Sequence, residues 1–163
     1  MASNFQCAVV TVSDSVAEGS RQDVSGLKAR EKLQALGFEV VESKVVADVH
    51  ADIRAILERY ADELHVDLVV TTGGTGLGPR DVTPEATRSA IEKEVPGLAE
   101  LMRSETSRHT RFAFLSRALV GVRKETLIVN LPGSPQGVEQ CLDVLADLLP
   151  HALDLIHGKT RHS

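Results

Sequence analysis

Short β-branched runs take turns with segments of helical periodicity along this whole chain, and that alternation restricts the fold more than any single motif. Residues 7–12 (CAVVTV) form an apolar run too short for a helix, and they read as a buried strand. A polar stretch follows, then a helix from about Ser25 to Leu36, which Gly37 ends in the usual glycine position. Phe38 to Val46 alternates as a second strand. Ile53, Ile56, Leu57, Tyr60 and Leu64 mark one face of a helix over residues 50–64, and Val66 to Thr72 reads as the third strand. Thr83, Pro84 and Glu85 open another helix, with threonine as cap, proline in the first turn and an acid against the dipole. Leu98, Leu101 and Met102 mark a helix beyond Pro96 and Gly97 that fades by His109. Arg117–Val122 and Thr126–Leu131 read as two strands joined by a charged turn. Ser134 and Pro135 begin the last helix, which Pro150 kinks or restarts because proline lacks the donor for a bond to residue 146. Residues 158–163 are expected to fray.

This order predicts an α/β fold: one domain over residues 1–163, in three layers, with a mostly parallel sheet and helices on both faces. The 163 residues suffice for a core without staples. A net charge of −5 and only five aromatic residues (four Phe, one Tyr) argue against a surface that neutralises nucleic-acid phosphates and stacks on bases. No apolar run reaches the roughly 18–20 residues of a membrane helix, and residues 1–6 lack the layout of a signal peptide. Cys7 and Cys141 suit a reducing compartment, so a cytoplasmic location without membrane or nucleic-acid partners is expected.

In parallel α/β sheets ligands bind at the carboxyl ends of the strands, beside a point where strand order reverses. Four strand exits carry polar or glycine residues: Ser13 with Asp14, Asp48, the stretch 73–81, and Asn130 with Pro132, Gly133 and Ser134. The stretch 71–84 (TTGGTGLGPRDVTP) runs from a strand through four glycines to a helix start. Glycines admit positive φ and close approach, and successive amide N–H groups can then cradle an anion. No Lys-Ser/Thr pair follows, as a Walker A loop needs, and the glycine spacing is not that of the dinucleotide fingerprint. A mobile surface turn is the plain alternative. For Pro132–Ser134 that alternative is simple capping by Ser134.

Asp48 and Asp81 have plain readings too, as a helix cap and as a loop acid paired with Arg80. Beside an anion cradle, though, carboxylates repel phosphates unless a divalent cation lies between. Mg²⁺ fits, being held by one or two carboxylates plus substrate phosphate oxygens. Asp14 is a weaker third candidate. The six histidines show no ligand spacing, so no zinc is assigned, and Arg108, Arg111 and Arg117 are open to two readings, a basic patch or a solvated helix face.

Residues 11–15 (TVSDS), 71–76 (TTGGTG), 79–87 (PRDVTPEAT), 115–117 (LSR) and 127–134 (LIVNLPGS) closely resemble the MogA/MoaB family, a pattern shared with the gephyrin G domain. The similarity runs from about Cys7 to Lys159. It implies molybdopterin adenylyltransferase activity, in which molybdopterin and ATP give adenylylated molybdopterin and pyrophosphate with Mg²⁺. A homotrimer and a downstream molybdenum-insertion protein are also implied. On this resemblance Asp48 and Asp81 match aspartates tied to pterin binding and catalysis. Gly73, Gly74, Thr75, Gly76, Pro132, Gly133 and Ser134 match loops around the molybdopterin site, and Ser116 a serine near it. Ser13, Asp14 and Asn130 are further candidate binding residues. Arg80 is a candidate for steadying charge on the leaving group or for bracing the loop. The alternative is a non-catalytic molybdopterin-binding or scaffold module of the MoaB type.

Overall fold

Parallel pairing of three strands fixes the centre of the molecule. In the computed structural model, which describes residues 4–159, β1 (Gln6–Val12) lies between β2 (Glu39–Val46) and β3 (Leu68–Thr72), and β3 pairs with β6 (Thr126–Leu131), all parallel. The sheet is closed on the far side of β6 by β5 (Val120–Arg123), antiparallel to β6, and the two-residue β4 (Lys93–Glu94), antiparallel to β5. The order is β2-β1-β3-β6-β5-β4. The chain therefore leaves β1 to one side for β2 and returns to its other side for β3, which is the reversal that opens a crevice at the strand ends.

The helices are α1 (Asp14–Ala17), α2 (Val24–Ala35), α3 (His50–Asp62), α4 (Thr83–Ala90), α5 (Pro96–Thr106), α6 (Pro135–Leu145) and α7 (Leu149–Ile156), with a 3₁₀ turn at Arg111–Leu115. Period-two alternation along the central strands sorts their side chains onto two faces. Cys7, Val9, Leu68, Val70, Leu127 and Val129 pack against α2, α5, α6 and α7, while Ala8, Val10, Val12, Val69 and Ile128 pack against α3 and α4. Both faces are thus covered, as the alternation of elements predicts.

Several helix ends follow from local chemistry. Gly37, at φ 95°, sits just past α2; its N–H bonds Gln34 O and the Phe38 N–H bonds Leu33 O, which satisfies two orphan carbonyls. Gly158 and Lys159 close α7 in the same way through Leu155 O and Asp154 O, so the first two residues of the expected frayed tail are ordered; residues 160–163 lie outside the described residues. Pro150 restarts rather than kinks: α6 stops at Leu145, and Pro150 occupies the first turn of α7.

Other expectations need correction. Thr83 does not cap α4. Val82 holds that position, and the Thr83 hydroxyl donates to Gly73 O instead, 2.9 Å away. The strand expected from Arg117 begins at Val120, because Arg117 is drawn into the glycine loop. The third strand starts at Leu68 rather than Val66, and α3 ends at Asp62. α1, the 3₁₀ turn and β4 carry too few residues for periodicity to reveal them.

The β5–β6 turn is tied to α3 and α4 by one guanidinium. Arg123 donates to both carboxylate oxygens of Asp62, at 2.9 and 2.7 Å, and to Ala90 O at 2.8 Å. Hydrogen bonding from Arg123 holds the Asp62 carboxyl down at about 2, against 3.8 ordinarily. A depressed carboxyl stabilises the fold above its unfolded value, and that contribution fades as pH falls from 3.8 through about 2. The pair is partly in solvent, so screening keeps the effect modest. Asp62→Asn is expected to cost about 1 kcal/mol in urea unfolding at pH 7, with the difference from the unmutated chain vanishing toward pH 2; a difference independent of pH would dismiss the ion pair as its cause.

Candidate functional site

The ends of β1, β3 and β6 lie side by side, and the loops leaving them build one crevice. Gly73 carries the chain out of β3 at φ 102°, and its N–H bonds Leu131 O at the end of β6. A Cβ there would run into Val12 O of β1, so only glycine lets these strand ends close up. Gly74 follows at φ 70°, where a Cβ would collide with the Thr83 hydroxyl. Thr83 meanwhile grips the loop from α4, its hydroxyl on Gly73 O and its N–H on Gly74 O. The Thr72 hydroxyl donates to Pro132 O at 2.7 Å, and a Cβ on Gly133 would touch Gly73 Cα at 3.4 Å. The two glycine-bearing loops are therefore in contact.

The N–H groups of Gly74, Thr75 and Gly76 have no protein acceptor among the described residues, whereas the neighbouring Gly73 and Gly78 N–H groups are bonded. Three consecutive main-chain donors are left for a ligand. Ser134 caps α6 through a 3.0 Å bond from the Gly137 N–H, so the plain capping reading of Ser134 holds while its helix start still faces the crevice.

Two hollows meet here. The larger, about 710 Å³, is bordered by Gly74–Leu77, the 3₁₀ turn, Met102, Ser116, Ala118, Asn130, Pro132–Ser134 and residues of α6. The smaller, about 390 Å³, is bordered by Ser13, Asp14, Ser15, Arg21, Asp48, Thr72 and Gly73. Gly74, Asp81 and Gly133 border both. The sequence candidates other than Arg80, which borders neither hollow, thus converge, with a further qualification for Asn130. That residue is fully buried; its amide donates to the Thr71 and Thr87 hydroxyls, both at 3.0 Å, and its oxygen accepts from the Leu119 N–H. Its side chain therefore pins β6 to β3, α4 and the approach to β5, with no donor left for a ligand.

Carboxylates crowd the smaller hollow. Asp14 and Asp48 exchange hydrogen bonds: the Asp14 N–H donates to Asp48 Oδ2 at 2.8 Å, and the Asp48 N–H to Asp14 Oδ1 at 2.9 Å. Asp48 is not a helix cap; Val49 takes that position on α3. Arg80 does not pair with Asp81. Its guanidinium grips Asp14 at 3.0 and 3.1 Å, lashing the glycine loop to the end of β1, and holds the Asp14 carboxyl low. Asp81 instead accepts from the Gly78 N–H at 2.9 Å. Burial raises the Asp48 carboxyl, with further upward push from the Asp14 and Asp81 carboxylates.

Arg117, legible as a charge and as the last residue of the LSR motif, organises the glycine loop. Its N–H donates to Thr75 O at 2.8 Å, its Nε to Gly76 O at 2.8 Å and its Nη2 to Asp81 O at 2.9 Å, and Nη1 pairs with Glu85. The rigid guanidinium thus takes up two loop carbonyls, Gly76 O and Asp81 O, at both ends of the 76–81 bend, while the main-chain N–H takes the third. The sequence signal available was its position immediately after Ser116, in the LSR motif.

Residues 8–151 match the family described as "Probable molybdopterin binding domain". The chain belongs to this family. It is 40% identical over 152 residues to the molybdopterin adenylyltransferase of Helicobacter pylori strain J99, covering 92% of this chain and 86% of that one. To the molybdopterin adenylyltransferase of Escherichia coli K12 it is 35% identical over 157 residues, 94% and 79% of the two chains. Among solved structures, the molybdopterin biosynthesis enzyme MoaB from Thermus thermophilus superposes with a TM-score of 0.90 at 50% identity, over 95% of this chain and 98% of that one. The α/β fold of this molybdopterin-binding family member therefore agrees with the fold of its relatives.

Two outcomes are expected here. Arg117→Lys keeps the main-chain bond to Thr75 O but cannot span the Gly76 and Asp81 carbonyls with one ammonium, so activity of the site should fall about 10²-fold, while unfolding stability falls by only about 2 kcal/mol; full activity would reduce Arg117 to a surface tie. For Asp48 the sign runs the other way from Asp62. A raised carboxyl costs stability once ionised, and the cost grows as pH rises from 3.8 through the elevated folded value. Asp48→Asn keeps an oxygen for the Asp14 N–H and removes the charge. Its melting temperature should exceed that of the unmutated chain by about 2 °C at pH 7.5 and match it below pH 3.8; a lower value at pH 7.5 would contradict the crowding.

Proposed function

We propose that this chain is a molybdopterin adenylyltransferase, which transfers AMP from ATP to molybdopterin and releases pyrophosphate. The observation that carries the reading is the meeting of two unlike hollows at Gly74, Asp81 and Gly133. The wider one suits a flat organic ring system. The narrower one, lined by Asp14, Asp48 and Asp81, suits an anionic chain accompanied by a cation. A phosphate reaching from one to the other passes the free N–H groups of Gly74, Thr75 and Gly76. The names carried by the relatives agree with this chemistry.

The terminal phosphate oxygen of molybdopterin attacks the α-phosphorus of ATP in line. The bond from that phosphorus to the bridging β-phosphate oxygen breaks, and pyrophosphate leaves with its electron pair. A phosphate monoester is already anionic near neutral pH, so no strong base is required, and catalysis rests on positioning and charge. The loop amides and the start of α6 at Ser134 hold phosphate oxygens. Arg80, engaged by Asp14, braces the loop; it can meet a leaving group only by letting Asp14 go.

Asp48 and Asp81 fit a hard divalent cation. Both are oxygen donors bordering the smaller hollow, and the upward push of the Asp81 charge on Asp48 is the repulsion such a cation relieves. Among the described residues no group of three or more His, Cys, Asp or Glu side chains could hold a metal by itself. Two carboxylates completed by substrate oxygens is the arrangement Mg²⁺ usually takes. When bound there, Mg²⁺ would neutralise phosphate charge.

The family resemblance extends the reading to a cytoplasmic homotrimer of three 17.6 kDa chains, whose product passes to a molybdenum-insertion protein. No helix of the described residues is long and apolar enough to cross a membrane. Incubation with molybdopterin, ATP and Mg²⁺ should release pyrophosphate. Asp81→Asn should lower turnover about 10²-fold or more without loss of the fold. Near-unmutated turnover in that variant removes Asp81 from the mechanism. Molybdopterin binding without pyrophosphate release turns the reading to the non-catalytic binding module.

A further inference from the structure

Five aromatic residues serve this chain, and three of them are interior: Phe5 stacks on Phe38 with ring centroids 6.4 Å apart, and Tyr60 is fully buried under α3. The other two, Phe112 and Phe114, stand 78% and 61% exposed on the 3₁₀ turn. Burying a phenylalanine is worth about 2 kcal/mol, and both of these rings forgo most of that gain. Phe112 borders the larger hollow and Phe114 does not. The turn that carries Phe112 is well anchored: the Thr110 hydroxyl accepts from the Phe112 N–H, and the Ala113 and Ser116 N–H groups bond Thr110 O and Ala113 O. Leu77, 68% exposed on the glycine loop, borders the same hollow. The larger hollow thus has an apolar lip, one member of which is an aromatic ring.

On α6, Gln136 and Gln140 stand one turn apart on one helix face, and both border that hollow. Neither carboxamide caps α6, a task left to Ser134, and neither has a hydrogen-bond partner among the described residues. Gln140 is half-buried, next to the buried Cys141. A carboxamide presents a donor and an acceptor side by side in one plane. The amide-like edge of a pterin, a ring carbonyl beside a ring N–H and an exocyclic amine, presents the matching pair. The face of the same ring is flat and stacks on an aromatic side chain.

We propose that Phe112 and Gln140 are substrate-contacting specificity residues, Phe112 for the face and Gln140 for the amide-like edge of a flat nitrogen heterocycle in the larger hollow. This rests on the reading above and goes beyond it by naming which residues select the pterin. Adenine has a comparable face and edge. The smaller hollow, with its three carboxylates suited to a cation and a triphosphate, assigns the nucleotide to the other side of Asp81.

The experiment measures KM for molybdopterin and for ATP separately, in the full chain and its variants, with pyrophosphate release as readout. Loss of one base-like stack costs about tenfold in affinity. Phe112→Ala and Gln140→Leu should each raise KM for molybdopterin about tenfold and leave KM for ATP within about twofold. Phe112→Tyr, which keeps the ring, should restore the molybdopterin value. Phe114→Ala is the control, also exposed but outside the hollow, and should behave as the unmutated chain. Phe112 is exposed, so its replacement does not threaten the fold; melting temperatures verify this for each variant. A rise in KM for ATP instead would assign the heterocycle seat to adenine and overturn the proposal. So would unchanged KM values in both variants, or an equal rise in Phe114→Ala, which would make the apolar lip a contact surface of another kind. No turnover by the unmutated chain would remove the adenylyltransferase reading together with this one; unmutated turnover with indifferent variants would remove this one alone.

Discussion

Everything at the site depends on how closely three parallel strands finish. β1, β3 and β6 are hydrogen-bonded neighbours whose carboxyl ends reach the same edge of the sheet. Gly73 is the residue that permits it. Its positive φ turns the chain away from β3, and the missing Cβ leaves room for the Val12 carbonyl. With that contact made, the loops after β3 and β6 touch at Gly73 and Gly133, and the two hollows adjoin at Gly74, Asp81 and Gly133. A side chain at residue 73 would separate the strand ends and with them the two halves of the site.

Charge divides the site where geometry joins it. Carboxylates gather on the β1 side of Asp81, and Arg80 is hydrogen-bonded to Asp14. Asp48 is left raised by burial and by its acidic neighbours. On the other side of Asp81 the hollow is bordered by Met102, Arg103, His109, Ala118, the 3₁₀ turn and neutral amides of α6, with no further carboxylate. Arg117 supports the partition from beneath. By taking up the carbonyls of Thr75, Gly76 and Asp81 it points the acceptors of the loop away from the cleft, which leaves amide donors on the ligand side.

Much of this was legible in the residues. The strand–helix alternation gave the layer count, and strand-exit positions picked out Ser13, Asp14, Asp48, the glycine loop and Pro132–Ser134 as neighbours, which they are. What escaped was partner choice. Arg80 and Asp81 are adjacent in sequence and look like a pair, yet consecutive side chains on a tight bend diverge. Arg80 found Asp14, 66 residues away, and Asp81 turned back to the Gly78 N–H. Arg117 read as a solvated charge because nothing local shows that three carbonyls of a distant loop will face it. Asn130 looked like a binding residue at a strand exit, but full burial directed its amide to Thr71 and Thr87.

The sequence alone determined which segments are strands and helices, where glycine and proline break them, and therefore that polar residues would collect along one sheet edge. These are consequences of side-chain period and backbone sterics, which act within a few residues. Only the tertiary structure decided that the edge forms two hollows of opposite character, that Asp81 stands between them, and which cation holds which carboxylate. Those outcomes depend on strand order and on distances between residues tens of positions apart, and a linear pattern does not carry either.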